Sequence, residues 1–174
     1  MVSKIVLGGG CFWCLEAAYQ MVRGVSRITS GYAGGQTADP DYYQVLTGRT
    51  GHAEVVKLEF DAKVISLQQI LDVFWTIHDP TSKNAQGADV GPQYRSIILY
   101  GDAEQRPIID RSLESAQELF DKPIVTEVQS ADKFYPAEAE HQDYFNNHPE
   151  AAYCQVVINP KLARLRAGLQ DLLK

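Results

Sequence analysis

The chain reads as an α+β protein, with a two-layer, mainly antiparallel mixed sheet and helices packed on it. Three observations predict this class. Strand-like and helix-like segments interleave without the steady βαβ alternation of a Rossmann domain. A strongly signalled amphipathic helix stands between two apolar strands. At 174 residues and 45% hydrophobic composition, the chain is long and apolar enough for one core, so residues 1–174 are expected to form a single domain.

Residues 4–7 form an apolar strand that runs into Gly8-Gly9-Gly10, and a helical pattern (Ala17, Ala18, Met21, Val22) then continues to about Gly24. Residues 25–32 read as a second strand, stopped by Gly34-Gly35, and 42–46 as a short helical turn. Residues 52–60 make a clear strand. Ser66 opens a helix: Ser66 and Gln69 form a capping box, and Ile65 with Ile70 a hydrophobic staple. Its stripe runs Leu67, Ile70, Leu71, Phe74, Ile77 until Asp79-Pro80 ends it. Residues 79–94 form the longest loop, rich in Gly, Pro, Asn and Asp, which marks function or disorder. A continuous apolar strand covers 96–100. Asp102 is expected to cap a helix to about residue 120, with Pro107 weakening its first turn. A strand over 124–128, a helix over 137–145 and a last helix after Pro160 complete the order. The charges after Pro160 read as a solvated helix face.

Composition excludes several classes. Lys and Arg total 16 against 22 Asp and Glu, a net charge of −6 with no basic stripe, so nucleic acid is not the expected partner. No 18-residue apolar run marks a membrane span, and the first residues read as strand rather than signal peptide. Three widely spaced cysteines do not make a secreted disulfide scaffold; a cytoplasmic setting with thiols free for chemistry fits better. His52, His78, His141 and His148 have no zinc-like spacing with them, so no metal is expected. His141 reads as a structural hydrogen-bonder on its helix.

The chemistry gathers around Gly8-Gly9-Gly10-Cys11-Phe12-Trp13-Cys14-Leu15-Glu16-Ala17. Here a cysteine stands where a strand turns into a helix, and a helix N-terminus favours thiolate over thiol. The glycines let a small ligand approach the backbone, and Phe12 and Trp13 offer an apolar wall. The plain alternative is a glycine turn followed by a buried cysteine and two core aromatics. Strand alternation adds a second group: Glu54 shares a face with Val56, Leu58 and Phe60. A carboxyl held there has its charged form disfavoured and can stay protonated near neutrality. Near the strand start, it could instead reach solvent.

Further stretches follow in order: Gly31-Tyr32-Ala33-Gly34-Gly35, Gly51-His52-Ala53-Glu54-Val55-Val56, His78-Asp79-Pro80-Thr81, Gln86-Gly87-Ala88-Asp89 through Gln93-Tyr94-Arg95-Ser96, and Ala137-Glu138-Ala139-Glu140-His141-Gln142-Asp143-Tyr144. With the cysteine segment they resemble the A-type peptide methionine sulfoxide reductases, from about residue 8 to 145. The resemblance implies a fold often grouped as ferredoxin-like. It implies thiol-dependent reduction of methionine S-sulfoxide, free or in proteins. Cys11 would be the nucleophile, Glu54 the proton donor, Tyr42, Tyr94 and Asp89 further polar groups at the oxygen, and Phe12 and Trp13 the methyl pocket. Cys11 would become a sulfenic acid and then a disulfide with Cys154, carried by a C-terminal segment over 146–174. That bond would be reduced by thioredoxin or another dithiol, with no bound cofactor. Two departures bear on this last step. Cys14 stands where the family usually has glycine, and no second C-terminal cysteine follows Cys154, so Cys14 is the alternative resolving thiol.

Other classes are weighed beside this one. Cys11-Phe12-Trp13-Cys14 is also a C-x-x-C at a helix start, as in thiol–disulfide oxidoreductases, although Glu54 would then have no task. A cysteine hydrolase pairing Cys11 with a histidine ranks third, and a non-catalytic binding module last.

Overall fold

The computed structural model describes residues 2–174. The elements are β1 (Val2–Gly8), α1 (Phe12–Gln20), β2 (Val25–Ala33), α2 (Tyr42–Leu46), β3 (Ala53–Asp61), α3 (Leu67–Ile77), β4 (Ala85–Gln86), β5 (Asp89–Val90), β6 (Ile97–Tyr100), α4 (Gln105–Gln117), β7 (Glu127–Ser130), β8 (Phe134–Pro136), α5 (Tyr144–Asn147) and α6 (Asn159–Gly168). Six strands form one sheet in the order β7-β6-β1-β3-β2-β8, and β4 pairs with β5 alone. Neighbours are antiparallel except β6 and β7, which makes the sheet mixed. Among the described residues no helix is long and apolar enough to cross a membrane.

Period-two alternation sorts the central strands onto two faces. Ile5, Leu7, Val56, Leu58, Phe60 and Ile98 meet α1, α3, α4 and α6 in the main core, through Leu15, Phe74, Ile109 and Leu165 among others. Val6, Ala33, Ala53, Val55, Ile97 and Leu99 form a thinner cluster on the other face, against Phe134. The capping box of α3 forms as expected: Ser66 Oγ accepts from Gln69 N–H and Gln69 Oε1 from Ser66 N–H.

The structure departs from the expected pattern in four places. The helix expected over 137–145 is broken. Residues 134–136 instead extend the sheet against Gly31–Ala33, and Gln142 bonds the Ser30 N–H at 2.9 Å and the Ser30 carbonyl at 2.8 Å. Asp143 then takes a left-handed φ of 56°, and only Ala139–His141 and Tyr144–Asn147 are helical. The strand expected over 124–128 starts at Glu127, because Ile124 N–H is held by Gln117 and Val125 N–H by the Pro80 carbonyl. Asp102 accepts from Glu104 N–H one turn before α4 rather than capping it, and α4 stops at Gln117. Finally, a π-helical turn, Cys154–Ile158, leads directly into α6 with Pro160 in its first turn. Proline supplies no N–H and its ring crowds the carbonyl four residues back, which a widened turn accommodates.

Gly31 shows how closely β2 and β8 approach. A Cβ there would stand 2.5 Å from both the Tyr135 carbonyl and the Phe134 ring. Gly31→Ala is therefore expected to cost about 1–3 kcal/mol by overpacking and to lower Tm by several degrees. A thermal melt matching the parent within one degree would contradict this account of the β2–β8 contact.

Candidate active site

The site lies where β1 ends, under the N-terminus of α1. Gly10 has φ 87°, a left-handed conformation open to glycine, and its N–H donates to the Tyr94 carbonyl at 3.1 Å. The chain thus turns sharply enough for Cys11, extended at φ −67° and ψ 134°, to take the N-cap position of α1. The helix-start placement expected for Cys11 is therefore present. Its thiol, however, is pushed well above the ordinary value rather than down. Burial is the main cause, followed by the Glu54 and Cys14 charges. At 6% exposure the cost of a buried thiolate outweighs the helix end.

Glu54 is 1% exposed and points, as strand parity predicts, into the main core face. Its Oε1 accepts from the Phe12 N–H at 3.1 Å, which ties β3 to the first turn of α1. Its Oε2 is buried and has no hydrogen-bond partner among the described residues. Burial raises its pKa to about 8, against the lowering pull of the Phe12 N–H and the Cys11 side chain.

Tyr42 and Tyr94 surround this pair. Burial raises both phenols, with Glu54 the next cause and Cys11 and Asp89 contributing to each. Tyr32 stands opposite Glu54 in the β2–β3 register and donates its hydroxyl to Glu138 Oε1 at 2.9 Å. Glu138 Oε2 accepts the Tyr42 N–H at 3.0 Å, so one carboxylate positions both tyrosines. Asp89 does not stand free. Tyr153 donates its hydroxyl to Asp89 Oδ2 at 2.7 Å, and the Tyr153 hydroxyl oxygen lies 3.6 Å from Cys14 Sγ.

Phe12 is fully buried, with ring centroids of Tyr32 and His141 at 5.7 Å and of Trp13 at 6.3 Å. Trp13 is half-buried, stacked on Tyr144 at 3.7 Å with Tyr153 edge-on at 5.7 Å. Glu16 explains why Tyr144 lies there: its buried carboxylate accepts the Asp143 and Tyr144 N–H groups. His141 is on a 3₁₀ turn, not a longer helix, and its ring rests on Tyr42 at 4.2 Å. Its Nδ1 has no protein partner, so packing rather than hydrogen bonding at that nitrogen holds it. Glu138, Glu140 and His141 bring three potential ligand atoms within 4.8 Å of one another, but both Glu138 oxygens already accept hydrogen bonds.

All three cysteines are reduced and buried. Cys14 lies on the same turn as Cys11, with its N–H donating to the Cys11 carbonyl at 3.1 Å. Cys154 is fully buried in the main core, where the π-helical turn packs on α1. The segment after Asn147 is therefore packed rather than a free arm, and its end is tied back by Lys174 N–H to the Met21 carbonyl. Lys161 also departs from the solvated face expected after Pro160: it is half-buried and lines a cavity with Asp89 and Tyr153. Tyr153, Glu138, Glu16 and Lys161 were not singled out as site residues. Glu16 and Glu138 lie in stretches already notable by sequence.

A cysteine beside an uncharged carboxyl and a ring of phenols can attack an electrophilic centre while oxygen receives a proton. Comparison with known proteins agrees with that chemistry. The family model described as peptide methionine sulfoxide reductase matches residues 3–171. A protein of Leptospira borgpetersenii named peptide methionine sulfoxide reductase MsrA is 54% identical over 170 residues, 97% of each chain. One of the same name from Chromobacterium violaceum is 49% identical over 175 residues, 99% of each. The reduced form of Mxr1 from Saccharomyces cerevisiae superposes with TM-score 0.84 at 32% identity, covering 88% of this chain and 89% of that one. Mxr1 in complex with Trx2 superposes with TM-score 0.60 at 26% identity, over 82% and 84%. With the match running through nearly every element described above, the chain belongs to the peptide methionine sulfoxide reductase family.

Proposed function

We propose that this protein reduces methionine S-sulfoxide, free or in oxidised proteins, to methionine at the expense of Cys11. The observation that carries the reading is the Glu54 carboxyl. One oxygen is held by the Phe12 N–H, the other is buried without a protein partner beside Cys11, and the pKa of about 8 keeps it protonated at neutral pH. Sulfoxide reduction needs that donor, because charge builds on oxygen as sulfur is attacked. The balance is simple: Cys11 thiol and sulfoxide become Cys11 sulfenic acid and thioether. The Cys11 sulfur loses two electrons and the substrate sulfur gains them. Tyr42, Tyr94 and Asp89 complete the polar ring at the oxygen, while Phe12 and Trp13 take the methyl group. Tyr153 holds Asp89 through its hydroxyl.

The sulfenic acid then condenses with a thiol to form a disulfide. Sequence resemblance alone favoured Cys154, with Cys14 as the alternative. The geometry supports Cys14 for the direct step. A turn closed by a 14-to-11 backbone bond keeps Cα atoms within about 7 Å, the reach of a disulfide. Cys154 is enclosed in a helical turn and would have to leave the core. Peptide mapping after one equivalent of substrate, without reductant, is expected to recover mainly Cys11–Cys14. A dominant Cys11–Cys154 link would return the role to Cys154. Reduction of the disulfide falls to a dithiol protein such as thioredoxin, in line with the Mxr1 complex with Trx2, and needs no bound cofactor. A cytoplasmic setting suits thiols that cycle in this way.

We read residues 1–174 as one catalytic domain, with 146–174 as the segment that closes over α1. The order β6-β1-β3-β2, with α1 and α3 as crossovers, supports a ferredoxin-like centre. The class is tested by mass spectrometry of a methionine sulfoxide peptide incubated with protein and a dithiol. Loss of one oxygen is expected; an unchanged peptide mass would sink the reading.

A further inference from the structure

Behind Tyr153 lies a cavity of about 630 Å³, lined by His78, Asp79, Gln86, Asp89 and Lys161 beside apolar residues of α3 and the π-helical turn. Lys161 is half-buried there, and among the described residues it forms no ion pair. Its Nζ lies 3.9 Å from where a Cβ on Gly10 would stand, one residue before Cys11. A cation this near the turn before Cys11 acts on the ionisable groups that the turn carries. Asp79 lines the cavity too, with Thr81 donating its N–H and hydroxyl to Asp79 Oδ1. His78 is neutral near pH 7, since burial and the Lys161 charge hold its pKa down to about 4. Asp89 accepts the Tyr153 hydroxyl and keeps its own charge.

Cys14 borders the same cavity through Tyr153. Its sulfur lies 3.6 Å from Tyr153 Oη, and the ring of Tyr153 lines the same cavity as Lys161. We propose that Lys161 is a positioning residue for disulfide formation, its ammonium stabilising the Cys14 thiolate that attacks the Cys11 sulfenic acid. This rests on the reading of Cys11 and Cys14 given above. In the step, the Cys14 sulfur donates its electron pair to the Cys11 sulfur and the S–S bond forms. The Cys11 S–O bond breaks, and the oxygen leaves as water carrying the proton that Cys14 gave up.

The groups facing Cys14 act in opposite directions. Burial pushes its thiol up and the Lys161 charge is the next influence, pulling it down; the Tyr153 hydroxyl also lowers it and Asp89 raises it. Cys11 lies on the same turn, with Glu54 behind it, and Cys154 of the π-helical turn packs on the Cys14 side. Lys161, from α6, is the cation acting on Cys14, while Arg164 of the same helix lines the cavity from an exposed position, so the C-terminal segment supplies the charge that the resolving step needs.

The test uses the full chain carrying Cys154→Ser, in which Cys14 alone can resolve. After one equivalent of a methionine sulfoxide peptide, quenched samples are taken across pH. Sulfenic acid is trapped with dimedone, and the Cys11–Cys14 disulfide is counted by mass. With Lys161 present, the disulfide rate should rise with pH to a plateau. Lys161→Met should move that rise upward by one unit or more. It should also slow the step at neutral pH about threefold or more, since a tenfold loss of thiolate is partly offset by higher nucleophilicity. Lys161→Arg should restore the parent profile. An unmoved profile in Lys161→Met, or an equal loss of methionine release, would overturn the assignment. Failure of the underlying reading is separable: the Lys161-containing protein would then release no methionine, or never form the Cys11–Cys14 link.

Discussion

Cys11→Ser is expected to release no methionine from one equivalent of sulfoxide, whereas Cys154→Ser releases one equivalent at the parent rate. The difference follows from the position of each sulfur. Cys11 caps α1 with Glu54 directly behind it, whereas Cys154 is enclosed among Ile158, Leu162 and the face of α1. Serine preserves the volume and the N-cap, so loss of activity cannot be assigned to a disrupted turn. A hydroxyl remains protonated at any working pH and is a poor nucleophile toward sulfur. The raised thiol pKa shapes the reaction as well: the resting site holds Cys11 as thiol and Glu54 as acid, with no net charge between them. Charge separates only when a sulfoxide presents its oxygen to Glu54. Quenched single-turnover mass spectrometry measures this directly. One equivalent of methionine from Cys11→Ser would move the nucleophile to Cys14.

What sequence could reveal of this site depended on period and on local turns. Strand parity placed Glu54 on the core face because a single strand decides it, and the capping box of α3 needed only Ser66 and Gln69. Cys11 was legible as a helix start because Gly10 takes a conformation that few other residues adopt. The missing parts are bonds between distant segments. Tyr153 meets Asp89 from 64 positions away, and Gln142 completes the edge of β2 from 112 positions away. Neither carries a local signature, and Gln142 takes its segment out of a helix that its own residues would favour. Lys161 reads as part of a solvated helix face, and nothing local marks Glu16 as buried, until the packing of 143–161 against α1 encloses them. The direction of the Cys11 shift was missed for the same reason: the helix end is local, and the burial that outweighs it is not.

Glu54→Gln is expected to slow the first turnover by about 10²–10⁴ at neutral pH, the usual span for a positioned general acid. The amide keeps the shape, and its carbonyl can still accept the Phe12 N–H, so the link between β3 and α1 survives. What it lacks is a transferable proton on the oxygen that Oε2 occupies. The pH profile separates this from a packing defect. With a pKa of about 8, the acid form is present below that value and lost above it, so the parent rate should fall as pH rises through about 8. The variant should lack that limb. Stability carries the same sign. A carboxyl raised from about 4.3 contributes its full stability below that value and loses it progressively as pH rises through about 8. Parent protein should therefore lose more Tm than Glu54→Gln between pH 6 and pH 9. A near-parent rate at neutral pH would remove Glu54 from the proton transfer. A slow variant with the parent's alkaline limb intact would move the donor to Tyr42 or Tyr94, the phenols whose rise Glu54 helps to cause.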